Sequence, residues 1–169
     1  MDSEARRSAR EVIRWATRED EGSATVEFVA LSLLLLIPLV YLVLSFSQIQ
    51  AGAFAAESAA AAAARAAVVD GVAEYESGSS RAHAMSVATG RANAVAATAL
   101  DNFGFELSDA TVELACDAQC LDPGSNISAR VRVEVPLPGM AGAFGGAFPL
   151  EVTVEAESRA PVDSVVRDQ

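Results

Sequence analysis

The chain has 169 residues, 51% of them apolar and 21% charged, enough apolar material for one folded domain and too much for a disordered chain. The net charge is −11, from 12 basic residues, all Arg, and 23 acidic ones. A chain this acidic has no general attraction for a phosphate backbone, so no nucleic-acid partner is expected. One His (His83) and two Cys (Cys116, Cys120) are too few for a His-based triad or a His/Cys zinc site, so no catalytic residue, metal or cofactor is expected.

Residues 1–22 form a charged leader. Arg6, Arg7, Arg10, Arg14 and Arg18 stand among six acidic residues, with Ala5, Ala9, Ile13 and Ala16 at helical spacing. The pattern predicts a short solvated helix, too small to fold alone.

Residues 28–46 read FVALSLLLLIPLVYLVLSF, nineteen positions without a charge. About 20 such residues cross a hydrocarbon core, so 23–46 is expected to be a transmembrane segment in contact with lipid bilayer. Ser32 and Ser45 can bond back to their own helix. Pro38 removes one backbone donor and is expected to kink the helix, which transmembrane helices tolerate. Five Arg precede the span, and the first one after it is Arg65. The positive-inside rule then places the N-terminus in the cytoplasm and residues 47–169 outside. A cleaved secretory signal is the competing reading, but its apolar core is only about 7–15 residues long and ends at a small-residue cleavage site.

Residues 47–169 are expected to form an extracytoplasmic α+β domain. Ser47–Val69 is Ala-rich and helical by propensity, with Gly71 as the expected stop. Its Ala face reads equally well as filler or as a surface that lets another helix approach closely. Residues 74–80 (EYESGSS) look like a linker. Ser80 can cap a second helix over about Arg81 to Asn102, ending near Gly104, with Ala84, Val87/Ala88, Ala92, Val95 and Ala99 on one stripe. His83 reads as a helix-surface residue. From there the pattern switches to period two, predicting strands over 111–116, 127–135 and 150–157. Three strands with one apolar face need a cover, which either helix can supply. The expected fold is α+β: a long N-terminal transmembrane helix extended by the Ala-rich helix, a second helix, and a small antiparallel sheet of about three strands. PLPGMAGAFGGAF, between the last two strands, reads as a flexible hairpin loop; a phosphate cradle would need a helix after it and usually a Lys. Cys116 and Cys120 face an oxidising compartment in this topology, which favours a structural disulfide. A redox pair is the alternative, although the spacing is one residue longer than CxxC.

The most informative residues are Gly22-Ser23-Ala24-Thr25-Val26-Glu27-Phe28. A Gly closes the charged leader, and five residues later one Glu stands at the mouth of the uncharged span. This resembles the processing site of type IV prepilins. The aromatic Phe28 after Glu27 resembles the tight-adherence (Flp) branch. The stretch over about residues 20–69 is similar to the TadE-like pseudopilin family. It departs from that family at Pro38, which lies eleven residues after Glu27 where about six is usual.

The resemblance implies a bacterial plasma-membrane protein that is a structural or assembly component of a tight-adherence pilus or related secretion system. It implies cleavage between Gly22 and Ser23 by a prepilin peptidase. It also implies partners among other pilin or pseudopilin subunits and a membrane assembly platform. The new amine of Ser23 and Glu27 would form the assembly charge pair between neighbouring subunits. A charge in hydrocarbon costs a few kcal/mol, which makes Glu27 a functional candidate on physical grounds as well. The alternatives are a Glu27 that merely snorkels to the headgroups, and an uncleaved, membrane-anchored binding module of the cell envelope.

Overall fold

The computed structural model describes the backbone of residues 2–137 and 151–163, and the side chains of 23–137 and 151–163. In chain order the elements are α1 (Asp2–Glu76), α2 (Arg81–Asp101), a 3₁₀ turn (Leu107–Asp109), β1 (Ala110–Cys116), β2 (Asn126–Pro136) and β3 (Glu151–Pro161). The class is α+β, with a long apolar N-terminal helix, a second helix and a three-stranded antiparallel sheet. Most of the Gly-rich stretch expected to be a hairpin loop lies outside the described residues. The chain divides into two units, 1–44 and 45–169.

In the first unit, the backbone is helical on both sides of Pro38. From Val26 onward its large apolar side chains are exposed, including Phe28, Leu34, Leu35 and Ile37. The helix is long and apolar enough to cross a membrane, and almost none of that stretch is buried within the chain.

The second unit is a helix pair on a sheet. The strand order is β1-β2-β3. Val112 faces Val131 and Val131 faces Ala156; one position on, Glu113 faces Arg130 and Arg130 faces Glu157. This is the two-residue period at work, and it makes one face apolar and the other charged. On β2 the inward set Ile127, Ala129, Val131, Val133 and Val135 is completely buried. Each of the larger members contributes about 1.5–3 kcal/mol by leaving water.

Both helices cover that face. The second half of α1 buries Ala55, Ala56, Ala59, Ala60, Ala63, Ala64 and Ala67, and α2 buries Ala84, Ala88, Ala92 and Ala96 at four-residue spacing. The Ala face is therefore a packing surface. Single methyl groups allow close backbone approach, so the seam is held by many short dispersion contacts rather than by large side chains.

Gly52 and Gly71 are the tightest points of α1. A Cβ on Gly52 would meet Val135, Val154 and Phe105. A Cβ on Gly71 would lie 2.8 Å from Cδ2 of Leu121 and 3.0 Å from Cβ of Ala88. Gly71 is thus not a helix stop: α1 runs on to Glu76, and the glycine serves the contact with Leu121 and Ala88. The helix ends where Gly78 takes φ +98°. The expected linker shrinks to 77–80, with Ser77 Oγ donating to the Glu74 carbonyl at 2.7 Å. Ser80 caps α2 by accepting the His83 N–H at 3.3 Å. Beyond α2, Gly104 turns at φ +81°, and the Phe105 N–H bonds back to the Leu100 carbonyl. Leu100 and Phe105 are both buried.

Candidate functional site

In the first unit, Gly22, Ser23, Glu27 and Phe28 occupy consecutive turns of α1. The helical backbone continues through Gly22 and Ser23, whereas a peptidase cleft takes extended chain. Glu21 before the glycine and Ala24 after it favour the helix, and a peptidase would have to unwind this turn. Ser23, Glu27 and Phe28 are exposed, and no basic side chain among the described residues pairs with Glu27. Ser23 and Glu27 are four residues apart and so share a helix face. The bond from Ser45 back to its own helix is not made; its Oγ is buried without a partner.

In the second unit, Cys116 and Cys120 are joined in a disulfide, with their Cα atoms 5.4 Å apart. The bridge closes the start of the 117–125 turn, which is tied to both helices and to the end of β3. Leu121, next to the bridge, takes φ +69° and is buried. That backbone region is disfavoured for a branched side chain, so the surrounding contacts must hold it there. Arg81 of α2 donates one Nη to the Cys120 carbonyl and the other to Asp122 at 2.6 Å. Its guanidinium also lies 4.9 Å from the centre of the Tyr75 ring. Asp122 raises the pKa of Arg81. At the other end of the turn, Asn126 donates its side-chain amide and its backbone N–H to Asp117, holding that carboxyl below its usual range. Gly124 N–H bonds to the Val162 carbonyl, and Val162 N–H bonds to the Ser125 carbonyl.

Sequence reasoning found the Cys pair but missed Tyr75, Arg81, Asp122 and Leu121, which converge from three separate segments. A strong signal was present only for Arg81, a charge in the first turn of α2 where an acid is the favoured residue.

The outer face of the sheet carries ion pairs between facing and diagonal residues. Arg130 pairs with Glu157 at 2.9 Å and Glu155 at 3.3 Å; Arg132 pairs with Glu155 at 2.6 Å and Glu113 at 3.4 Å. Glu157 also accepts from Arg159, and both arginines lower its pKa, Arg130 the more strongly. Depressions are also present among the described residues. An open groove of about 500 Å³ runs between α1 and the end of β3, lined by Val68, Val69, Val72, Ala160 and Pro161 with Arg65 at its rim. A polar cavity of about 200 Å³ lies at Cys116, Asp117, Asn126, Ser128 and Arg159. His83 sits exposed, 3.6 Å from Glu74. Among the described residues, no three His, Cys, Asp or Glu side chains converge as a metal-ligand set.

Comparison of the chain with protein-family models, curated proteins and solved structures finds no match in any of the three.

Proposed function

We propose that this protein is a minor pseudopilin of the TadE-like kind, a structural and assembly component of a tight-adherence pilus or a related secretion system rather than an enzyme. The observation that carries this reading is the spacing of Gly22, Ser23 and Glu27 ahead of an uncharged helical segment whose side chains face outward. That segment needs lipid or other apolar helices around it. The arginine-rich leader keeps the N-terminus in the cytoplasm and sends the head outside. Cleavage after Gly22 by a prepilin peptidase creates an amine on Ser23, four residues from Glu27. The carboxylate of one subunit then neutralises the amine of its neighbour, and a misaligned neighbour leaves both charges unpaired, which sets the register of the bundle.

A second reading, an uncleaved membrane-anchored binding module, is favoured by one observation: the backbone is helical at the cleavage point itself. Co-expression with a prepilin peptidase separates the two. Intact-mass analysis is expected to show loss of residues 1–22. A full-length chain alongside an active peptidase overturns the pseudopilin reading.

A further inference from the structure

The turn at 117–125 has an architecture that a merely stabilising cross-link does not require. The bridge ends at Cys120, and the very next residue is the buried, left-handed Leu121. Its side chain packs against Gly71 of α1, where a Cβ would collide with it, beside the point at which Gly71 meets Ala88 of α2. Arg81 fixes the same point from α2 by holding the Cys120 carbonyl and the Asp122 carboxylate. The disulfide is also within reach of solvent. Both cysteines are only partly buried, and Cys116 lines the polar cavity of about 200 Å³.

We propose that the Cys116–Cys120 bridge is an exchange-accessible redox latch on the α1–α2 seam: closed, it seats Leu121 against Gly71, beside the contact of Gly71 with Ala88; open, it releases Leu121 and loosens that end of the helix pair while the sheet stays intact. The reacting partner is a dithiol, either a small molecule or a dithiol oxidoreductase. Its thiolate attacks one sulfur of the bridge, forming a mixed disulfide and expelling the other cysteine as a thiolate, which takes up a proton. The partner's second thiol then closes the partner's own disulfide and releases the remaining cysteine. Two electrons pass from the dithiol to the bridge, and a disulfide-form partner reverses the step.

Without the bridge, Cys120 is no longer anchored to the end of β1, the contacts that hold the next residue left-handed loosen, and Leu121 relaxes to the right-handed or extended region that branched residues prefer. The free end of the α1–α2 pair then opens locally, because the fully buried side chains of the two helices there are those of alanines and the larger Val72 and Met85 are only partly buried. β2 keeps both its neighbours and does not follow.

The test is hydrogen exchange read by mass spectrometry on the full chain in detergent, with dithiothreitol as the probe. Reduction is expected to speed exchange about ten-fold over 68–76 and 81–90, with 127–135 unchanged, the signature of a local opening. Leu121→Ala, with the bridge intact, is expected to reproduce that pattern. Cys116→Ser/Cys120→Ser is expected to show it without dithiothreitol and to be insensitive to the reagent. An unchanged seam on reduction overturns the proposal, as does acceleration spread evenly over helices and sheet. If the double variant does not fold, reduction of the wild-type protein gives the same decision.

Discussion

A methyl group built on Gly52 would stand well inside contact distance of Cγ2 of Val135. Val135 is completely buried and stiff at its branch point, so it cannot swing aside. Gly52→Ala gains about 1 kcal/mol of helix propensity, but overpacking costs about 1–3 kcal/mol. The variant is expected to be less stable in urea melts. Val135→Ala should relieve the clash, so the double variant is expected to lose less than the sum of the two singles, by about 0.5–3 kcal/mol. Gly71→Ala is expected to be milder, because its nearest neighbour is the far end of the Leu121 side chain.

Leu100 is among the largest completely buried side chains of the described residues, in a core made mostly of Ala and Val. Leu100→Ala is expected to cost about 2–5 kcal/mol through lost burial and the cavity left behind. Thermal unfolding followed by circular dichroism checks the magnitude.

Acid is expected to weaken the head. Asp117 and Glu157 both titrate below their ordinary values in the folded chain, Asp117 through Asn126 and Glu157 through Arg130 and Arg159. A depressed folded-state pKa means that the unfolded chain takes up protons first. The stabilisation is therefore complete above the ordinary carboxylate range near about pH 4, and disappears as the pH falls through the lower folded-state values. Asp117→Asn and Glu157→Gln should each flatten the acid limb of a stability–pH profile. A limb as steep as the wild type's in both variants would assign it to other carboxylates.

On the pseudopilin reading proposed above, Glu27→Gln separates assembly from processing. Removing a charge favours the hydrocarbon, so insertion should be unchanged, and cleavage should persist because Gly22 is still present. Pilus assembly is expected to fail, since the Ser23 amine loses its counter-charge, a loss of about 3–5 kcal/mol when buried. A Gly22 substitution should give the same pilus-minus phenotype with the leader retained. Cleaved Glu27→Gln protein that still assembles would remove the charge-pair mechanism.

The strands were readable because Arg130-Val131-Arg132-Val133 alternates cleanly, and the facing glutamates of β3 repeat the alternation in antiparallel order. The start of α2 was readable because capping is local: Ser80 and His83 are three residues apart. Gly71 was misread because one residue type answers two demands, a helix end and a close approach. Only the arrival of Leu121, fifty positions later, decides between them. The tie from Arg81 to Asp122 spans 41 positions and leaves no periodic trace. The roles proposed for Gly22, Ser23 and Glu27 rest on spacing and resemblance, because the proposed chemistry involves a cut and a neighbouring subunit that a single chain does not contain.

The Ala-lined seam has a thermodynamic consequence. Alanine has no side-chain rotamers to surrender on burial, so closing α1 on α2 loses almost none of that freedom. The attraction left is mostly contact between closely fitting surfaces, the same kind that joins helices where there is no water to expel. The pairing is therefore nearly indifferent to its surroundings, and the two helices can meet as readily beside the lipid headgroups as in open solvent.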